Sequence, residues 1–204
     1  MDNEIIIIIL AVLFVVFLIS IFTRRKEPAN VDPPEKRAGK IGEQYAKFEI
    51  SKVLWETDIL LNNISITADG KTAEYDNIII NRYGVFIIEV KNHVGKLYGS
   101  EDDYDWVKVK TTPGGYSYEK TVKNPIKQVK RQIYILSKYL KDNGIKAWID
   151  GYIFFVNHNS PVDSKYILNT ITDIDKVIHD TSREKLKSVN QTQIISVLKN
   201  NQVL

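Results

Sequence analysis

The chain of 204 residues contains no cysteine. Disulfide scaffolds, thiol nucleophiles, iron–sulfur clusters and cysteine zinc sites are excluded with it. Histidine is nearly as scarce: His93, His158 and His179 are the whole supply, too few and too scattered for a histidine metal cluster. Of the six prolines, three fall within residues 23–38. What remains is ordinary globular composition, 44% hydrophobic and 26% charged, which excludes a disordered or collagen-like chain.

Charge is unevenly spread. Asp2 and Glu4 are the only charged residues before Thr23, and the rest holds all 28 basic residues against 23 acidic ones. A mildly basic body suits a polyanionic partner or an anionic membrane surface. From Ile5 to Phe22 every residue except Ser20 is apolar. Eighteen residues make about 27 Å of helix, close to the hydrocarbon thickness of a bilayer. Arg24, Arg25 and Lys26 follow at once, so the positive-inside rule places the C-terminal bulk in the cytoplasm. A cleaved signal peptide would need a basic leading end, a shorter apolar core and a small-x-small site, and none is present. The reading is therefore a single transmembrane anchor at 1–22, with residues 5–22 in the membrane. A charged, proline-containing linker follows at 23–38, then a folded domain at 39–160 and a C-terminal helical extension at 161–204 that packs on it.

Within the domain, residues 39–55 have helical spacing. Ile41, Tyr45, Phe48 and Lys52 share one face, with Ala46 and Ile50 beside them. Residues 59–66 read as a strand interrupted by Asn62 and Asn63, and 68–72 as a turn. A hairpin follows: Asp76–Ile80 and Val85–Val90 are β-rich and Asn81–Gly84 supplies the turn. The unbroken run Val85–Ile88 suits a strand covered on both faces. Short strands are expected at 94–99, 105–110 and 116–119. Asn124 before Pro125 is a helix start, and Ile126, Val129, Ile133, Leu136 and Leu140 line that helix. Trp148–Val156 reads as another buried strand, with helices at 174–179 and 182–198. The order implies an α/β (mixed α+β) fold with a central mixed sheet flanked by helices.

The chemistry-bearing residues cluster on the hairpin. Phosphodiester cleavage calls for oxygen ligands to a hard divalent cation, Mg²⁺ or Mn²⁺, and for a positive group that offsets the transition-state charge. Glu89 and Lys91 are two apart on a strand, so both side chains leave the same face. Residue 76 falls opposite residue 89 across the turn, so Asp76 and Glu89 can share one metal, with the Val90 carbonyl as a further oxygen ligand. The acid-x-Lys pattern also occurs at Asp69–Lys71 and Asp163–Lys165, but only Glu89–Lys91 ends a buried-type strand with an acid on its partner. From spacing alone, a surface Glu–Lys pair beside an unrelated Asp stands level with a metal site.

Five ordered segments resemble one family: GKIGE (39–43), EYDNIII (74–80), GVFIIEVKN (84–92), the strand around Trp106, and NPIKQ (124–128). Together they are similar to the NERD (nuclease-related) domain of the PD-(D/E)xK nuclease group, over roughly residues 39–156. Tyr75 stands where the wider motif has proline. The resemblance implies a restriction-endonuclease-like fold and a site of Glu43, Asp76, Glu89, Lys91 and Gln128, with Glu43 supporting a metal-bound water or a second metal and Gln128 orienting Lys91 or the substrate. It implies metal-dependent hydrolysis of nucleic acid, DNA before RNA, at a bacterial cell membrane. The alternative is a non-catalytic, membrane-tethered module that binds nucleic acid or protein on the same fold. Lysines from Lys108 to Lys141, interleaved with Tyr116 and Tyr118, would suit a phosphate-tracking groove, though such runs more often only solvate a face.

Overall fold

The computed structural model describes residues 33–186 and 188–201. The apolar run at 5–22, and with it the expected membrane span, lies outside the described residues. Among the described residues no helix is long and apolar enough to cross a membrane. Contacts divide the chain between Arg37 and Ala38, and the architecture below is that of the second unit.

The fold is mixed α/β. Helix α1 (Pro34–Ser51) leads, beginning inside the stretch read as linker, and is followed by β1 (Ile59–Ala68), β2 (Lys71–Asn81) and β3 (Gly84–Lys91). A second group follows, β4 (Lys96–Tyr98), β5 (Asp105–Thr111) and β6 (Ser117–Lys123). Helix α2 (Pro125–Asp142), β7 (Ile149–Phe155), β8 (Ile167–Leu168), α3 (Ile171–Ile178) and α4 (Ser188–Lys199) complete the order. The main sheet runs β1-β2-β3-β7-β8, antiparallel across the first three strands and parallel from β3 outward. A separate antiparallel sheet, β4-β5-β6, is inserted between β3 and α2.

Helices cover both faces of the main sheet, which is why β3 is continuously apolar. Val85 and Ile87 face α2 and α4 through Ile135, Leu136, Leu140, Ile194 and Leu198. Phe86, Ile88 and Val90 face α1 and α3 through Ala46, Ile50, Ile174 and Ile178. A third cluster, with Trp106 at its centre, joins the inserted sheet to Ile126, Val129, Ile153 and Phe155.

α1 does not pack by the face its large residues suggest. Gly42, Ala46 and Ile50 meet the sheet, while Ile41, Tyr45 and Phe48 are solvent-exposed. The reason is close approach: a Cβ on Gly42 would lie 2.5 Å from Cβ of Asn92. α2 starts as its sequence indicates, with Asn124 Oδ1 accepting from the Ile126 amide and Pro125 in the first turn. The Asn124 side-chain amide also donates to the carbonyls of Ser100, Glu101 and Asp103, tying the helix start to the inserted sheet. At the other end of the domain α4 begins at Ser188, later than residue 182, because 182–186 form no helix and instead bring the Leu186 amide to the Arg82 carbonyl.

Candidate active site

Four elements supply the site: β2, β3, α1 and α2. β3 presents Glu89 and Lys91 on the face that α2 covers, and α2 brings Gln128 and Gln132 down onto them. Lys91 Nζ lies 2.6 Å from Glu89 Oε1 and 3.0 Å from Gln128 Oε1. The Gln128 side-chain amide donates to Glu89 Oε1 at 2.6 Å, and that of Gln132 to Glu89 Oε2 at 2.7 Å. Glu89 is only 4% exposed, so these donors replace the water that a buried carboxylate has lost.

Asp76 reaches this group through a break in the sheet. Following the register Asn77↔Ile88, residue 76 falls opposite 89, but the regular pairing stops at Asn77. Had the ladder continued, the Val90 amide would have donated to the Tyr75 carbonyl. It donates instead to Asp76 Oδ2 at 2.8 Å. β1 breaks at the same level: Asn62 pairs with Asn77 and Ile64 with Tyr75, while Asn63 between them is left-handed at φ 52°. The core positions change parity there in both strands, from Leu61 to Ile64 in β1 and from Tyr75 to Ile78 in β2. Asn62 donates to Asn77 Oδ1, and the Asn77 amide to the Ile88 carbonyl, bridging the gap.

Burial, first, and the neighbouring Glu89 charge, second, push the Asp76 carboxyl from an ordinary 3.8 up to about 7, against the lowering effects of the Val90 amide and Lys91. Glu43 adds a smaller like-charge contribution. It sits on α1 beside a cavity of about 230 Å³ that it lines with Asn63, Ile64, Glu74, Tyr75 and Asp76. A hydrogen bond from the Asn92 side chain to the Ala38 carbonyl holds the start of α1 against the end of β3. Glu74, Gln128 and Gln132 line a second depression of about 470 Å³ with Arg131. A larger hollow, about 680 Å³, lies by Tyr83 and Trp148 at the far end of the strands, away from these carboxylates. The convergence of charge, not hollow size, marks the site.

The structure thus places Glu89, Lys91 and Gln128 in mutual contact, Asp76 and Glu43 beside them, and Val90 in contact through its N–H. Among the described residues no three His, Asp or Glu side chains form a ready cation cage. The Asp76 and Glu89 carboxylates are the oxygen chemistry that a hard divalent cation takes, and the like-charge strain on Asp76 is what such a cation would relieve.

Gln132 was not anticipated. Its signal is that it lies four residues after Gln128, on the same helical face, and is buried within an otherwise apolar stripe. The histidines stand apart: His93 offers its carbonyl to Asn157 and Asn159, His158 sits in a left-handed turn, and His179 lies between Asp58 and Asp175. The basic segment is largely engaged within the domain, with Lys123 on Asp105, Lys130 on Glu101 and Lys138 on Asp142. Lys108 and Lys120 are direct cross-strand neighbours on the β5–β6 arm, near the exposed Tyr116 and Tyr118.

Residues 38–156 match the model of the nuclease-related domain. An uncharacterized protein of Bacillus anthracis is 35% identical over 94 residues, 46% of this chain and 42% of that protein, so the match spans less than half of the relative. No solved structure matches the chain significantly. The family match takes in more than half of the chain and every residue of the Glu43–Asp76–Glu89–Lys91–Gln128 group, so the chain belongs to the nuclease-related domain (NERD) family.

Proposed function

We propose that the domain is a divalent-cation-dependent phosphodiesterase acting on nucleic acid, DNA first, and held at the cytoplasmic face of a membrane by the apolar run at 5–22. What supports the chemistry is one observation: a lysine ammonium 2.6 Å from a buried glutamate, beside an aspartate whose carboxyl is raised to about 7. Asp76, Glu89 and the Val90 carbonyl would hold Mg²⁺ or Mn²⁺, which supplies Lewis-acid activation of water and charge neutralisation at phosphate. Lys91 positions the nucleophilic water or offsets the pentavalent phosphate charge, and Gln128 fixes the Lys91 ammonium. Glu43 supports water at the cavity it shares with Asp76. Arg24, Arg25 and Lys26 after the apolar run support the cytoplasmic placement.

The test uses residues 27–204 with single- and double-stranded DNA and with RNA, in Mg²⁺, Mn²⁺ and EDTA, beside Lys91→Ala. Metal-dependent cleavage that disappears in the variant is the expected result. Equal cleavage by both proteins marks a contaminant. No cleavage by either in any metal sinks the enzyme reading in favour of a non-catalytic binding module.

A further inference from the structure

The outer face of α1 is unexplained by the fold. Ile41, Tyr45 and Phe48 are 63%, 46% and 62% exposed and fall at i, i+4 and i+7, one narrow stripe. The stripe lies roughly opposite the packed residues Ala46 and Ile50, so the helix is apolar on two sides. Lys40 and Lys47, both exposed, lie along one side of it, and Lys52 at its end lies 4.3 Å over the Phe48 ring. An apolar stripe with lysines along one side and another arched over its end is the pattern of a helix lying in a lipid interface. The sequence names the same occupant. Residues 5–22 are the apolar run, and only residues 23–33 separate it from Pro34, at most about 37 Å when fully extended.

We infer that α1 is an interfacial helix that seats the domain on an anionic lipid surface through Ile41, Tyr45 and Phe48. This rests on the membrane placement proposed above, not on the nuclease chemistry. Glu43 lies nearly opposite the stripe at about 100° per residue, so a seated α1 keeps its active-site edge turned away from lipid. The seat then fixes the orientation of the site as well as its distance from the bilayer.

The absence of cysteine makes the test direct. The full chain carrying Ile41→Cys, Phe48→Cys or, as control on the inserted sheet, Tyr116→Cys is labelled with an environment-sensitive fluorophore. It is reconstituted in vesicles of equimolar phosphatidylcholine and phosphatidylglycerol. The expected result is that nitroxide-bearing lipid quenches the labels at 41 and 48 and leaves the label at 116 untouched. Adding Lys40→Gln and Lys47→Gln should lower the seated-to-free ratio about thirtyfold, as loss of two cations at such a surface requires. A chain that floats with vesicles while the labels at 41 and 48 stay in water overturns the interfacial helix and leaves the anchor standing. Labels shielded without lipid quenching, with energy transfer between copies, overturn it in favour of a dimer face. A chain that fails to float with vesicles overturns both the anchor and the seat.

Discussion

The perturbed carboxyl of Asp76 makes a prediction whose sign is fixed. In the unfolded chain this group titrates near 3.8; in the fold it is pushed up to about 7 by burial and by Glu89. Below pH 4 both states hold the proton and stability is undiminished. Between pH 4 and 7 the folded state keeps a proton that the unfolded state has released, so stability falls as pH rises. Above pH 7 the loss is complete. At about 1.36 kcal/mol per pH unit the ceiling on that loss is about 4 kcal/mol. Asp76 is only partly buried, and solvent screening brings the expected figure to about 2 kcal/mol.

Asp76→Asn removes the charge and keeps an oxygen for the Val90 amide, whose bond to Asp76 Oδ2 is 2.8 Å. Urea unfolding of residues 27–204 in EDTA, followed by tryptophan fluorescence from pH 4 to pH 8, is the assay. The variant should match wild type at pH 4 and exceed it by about 2 kcal/mol at pH 8. Added Mg²⁺ should then narrow the gap at pH 8, because a cation bound by the wild-type carboxylates stabilises the fold by linkage and the variant has lost one ligand. A variant no more stable than wild type at pH 8 would refute the reasoning, since Asp76 would then carry no electrostatic burden in the fold.

Other expectations are shorter. On α1, Gly39→Ala should raise stability by about 1 kcal/mol, because its Cβ meets nothing nearer than 4.0 Å. Gly42→Ala, on the same helix, should lower stability, since its Cβ would lie 2.5 Å from Asn92. Equal shifts in thermal midpoint for the two would contradict the packing described. His179→Ala removes the ring that contacts Asp58 and Asp175 at 2.7 Å and stacks on Trp55, leaving the buried Asp58 carboxylate without its imidazole partner. About 2 kcal/mol should be lost in urea unfolding, and a loss below about 0.5 kcal/mol would show that the contact is not structural. On the β5–β6 arm, Lys120→Glu replaces a like-charge cross-strand pair with Lys108 by an opposite-charge one. Stability should rise by about 0.5 kcal/mol while DNA affinity falls and its salt dependence weakens by about one phosphate contact; unchanged binding would remove the arm from the interface.

How much of this could be read from the residues follows from what each element depends on. The β2–β3 hairpin and the start of α2 depend on local signals, a turn beside β-branched runs and an Asn-Pro cap, and both stand where those signals lie. The opposition of residues 76 and 89 follows from the turn alone. The packed face of α1 was not legible, because apolar periodicity favours large residues and this contact is built on the small ones that allow close approach. β6 is longer than its turn signals suggested: SYEKTVK has little apolar content, and its strand state comes from pairing with β5. Gln132 escaped because a glutamine in an apolar stripe declares a partner without naming it; the partner, Glu89, is 43 residues away.

The broken register at Asn63 and Asp76 belongs to the site. A regular sheet would satisfy the Val90 amide with the Tyr75 carbonyl and leave Asp76 as an ordinary cross-strand neighbour. Here two ladders are interrupted at one level, and a non-glycine residue is held left-handed, conditions that cost stability wherever they occur. Local compensation is visible in the Asn62–Asn77–Ile88 chain of hydrogen bonds and in the Asp76 bond to Val90. Those bonds replace the lost ladder but leave the charge problem, since Asp76 still faces Glu89 with a carboxyl driven toward neutrality. Glutamine amides and one lysine saturate Glu89, while nothing positive is bound to Asp76 at hydrogen-bond distance in the contacts described. An amide residue at 76, which keeps the acceptor for the Val90 amide, would make a more stable domain at neutral pH. Under the function proposed above, the carboxylate is the half of a cation site, which stability alone does not require.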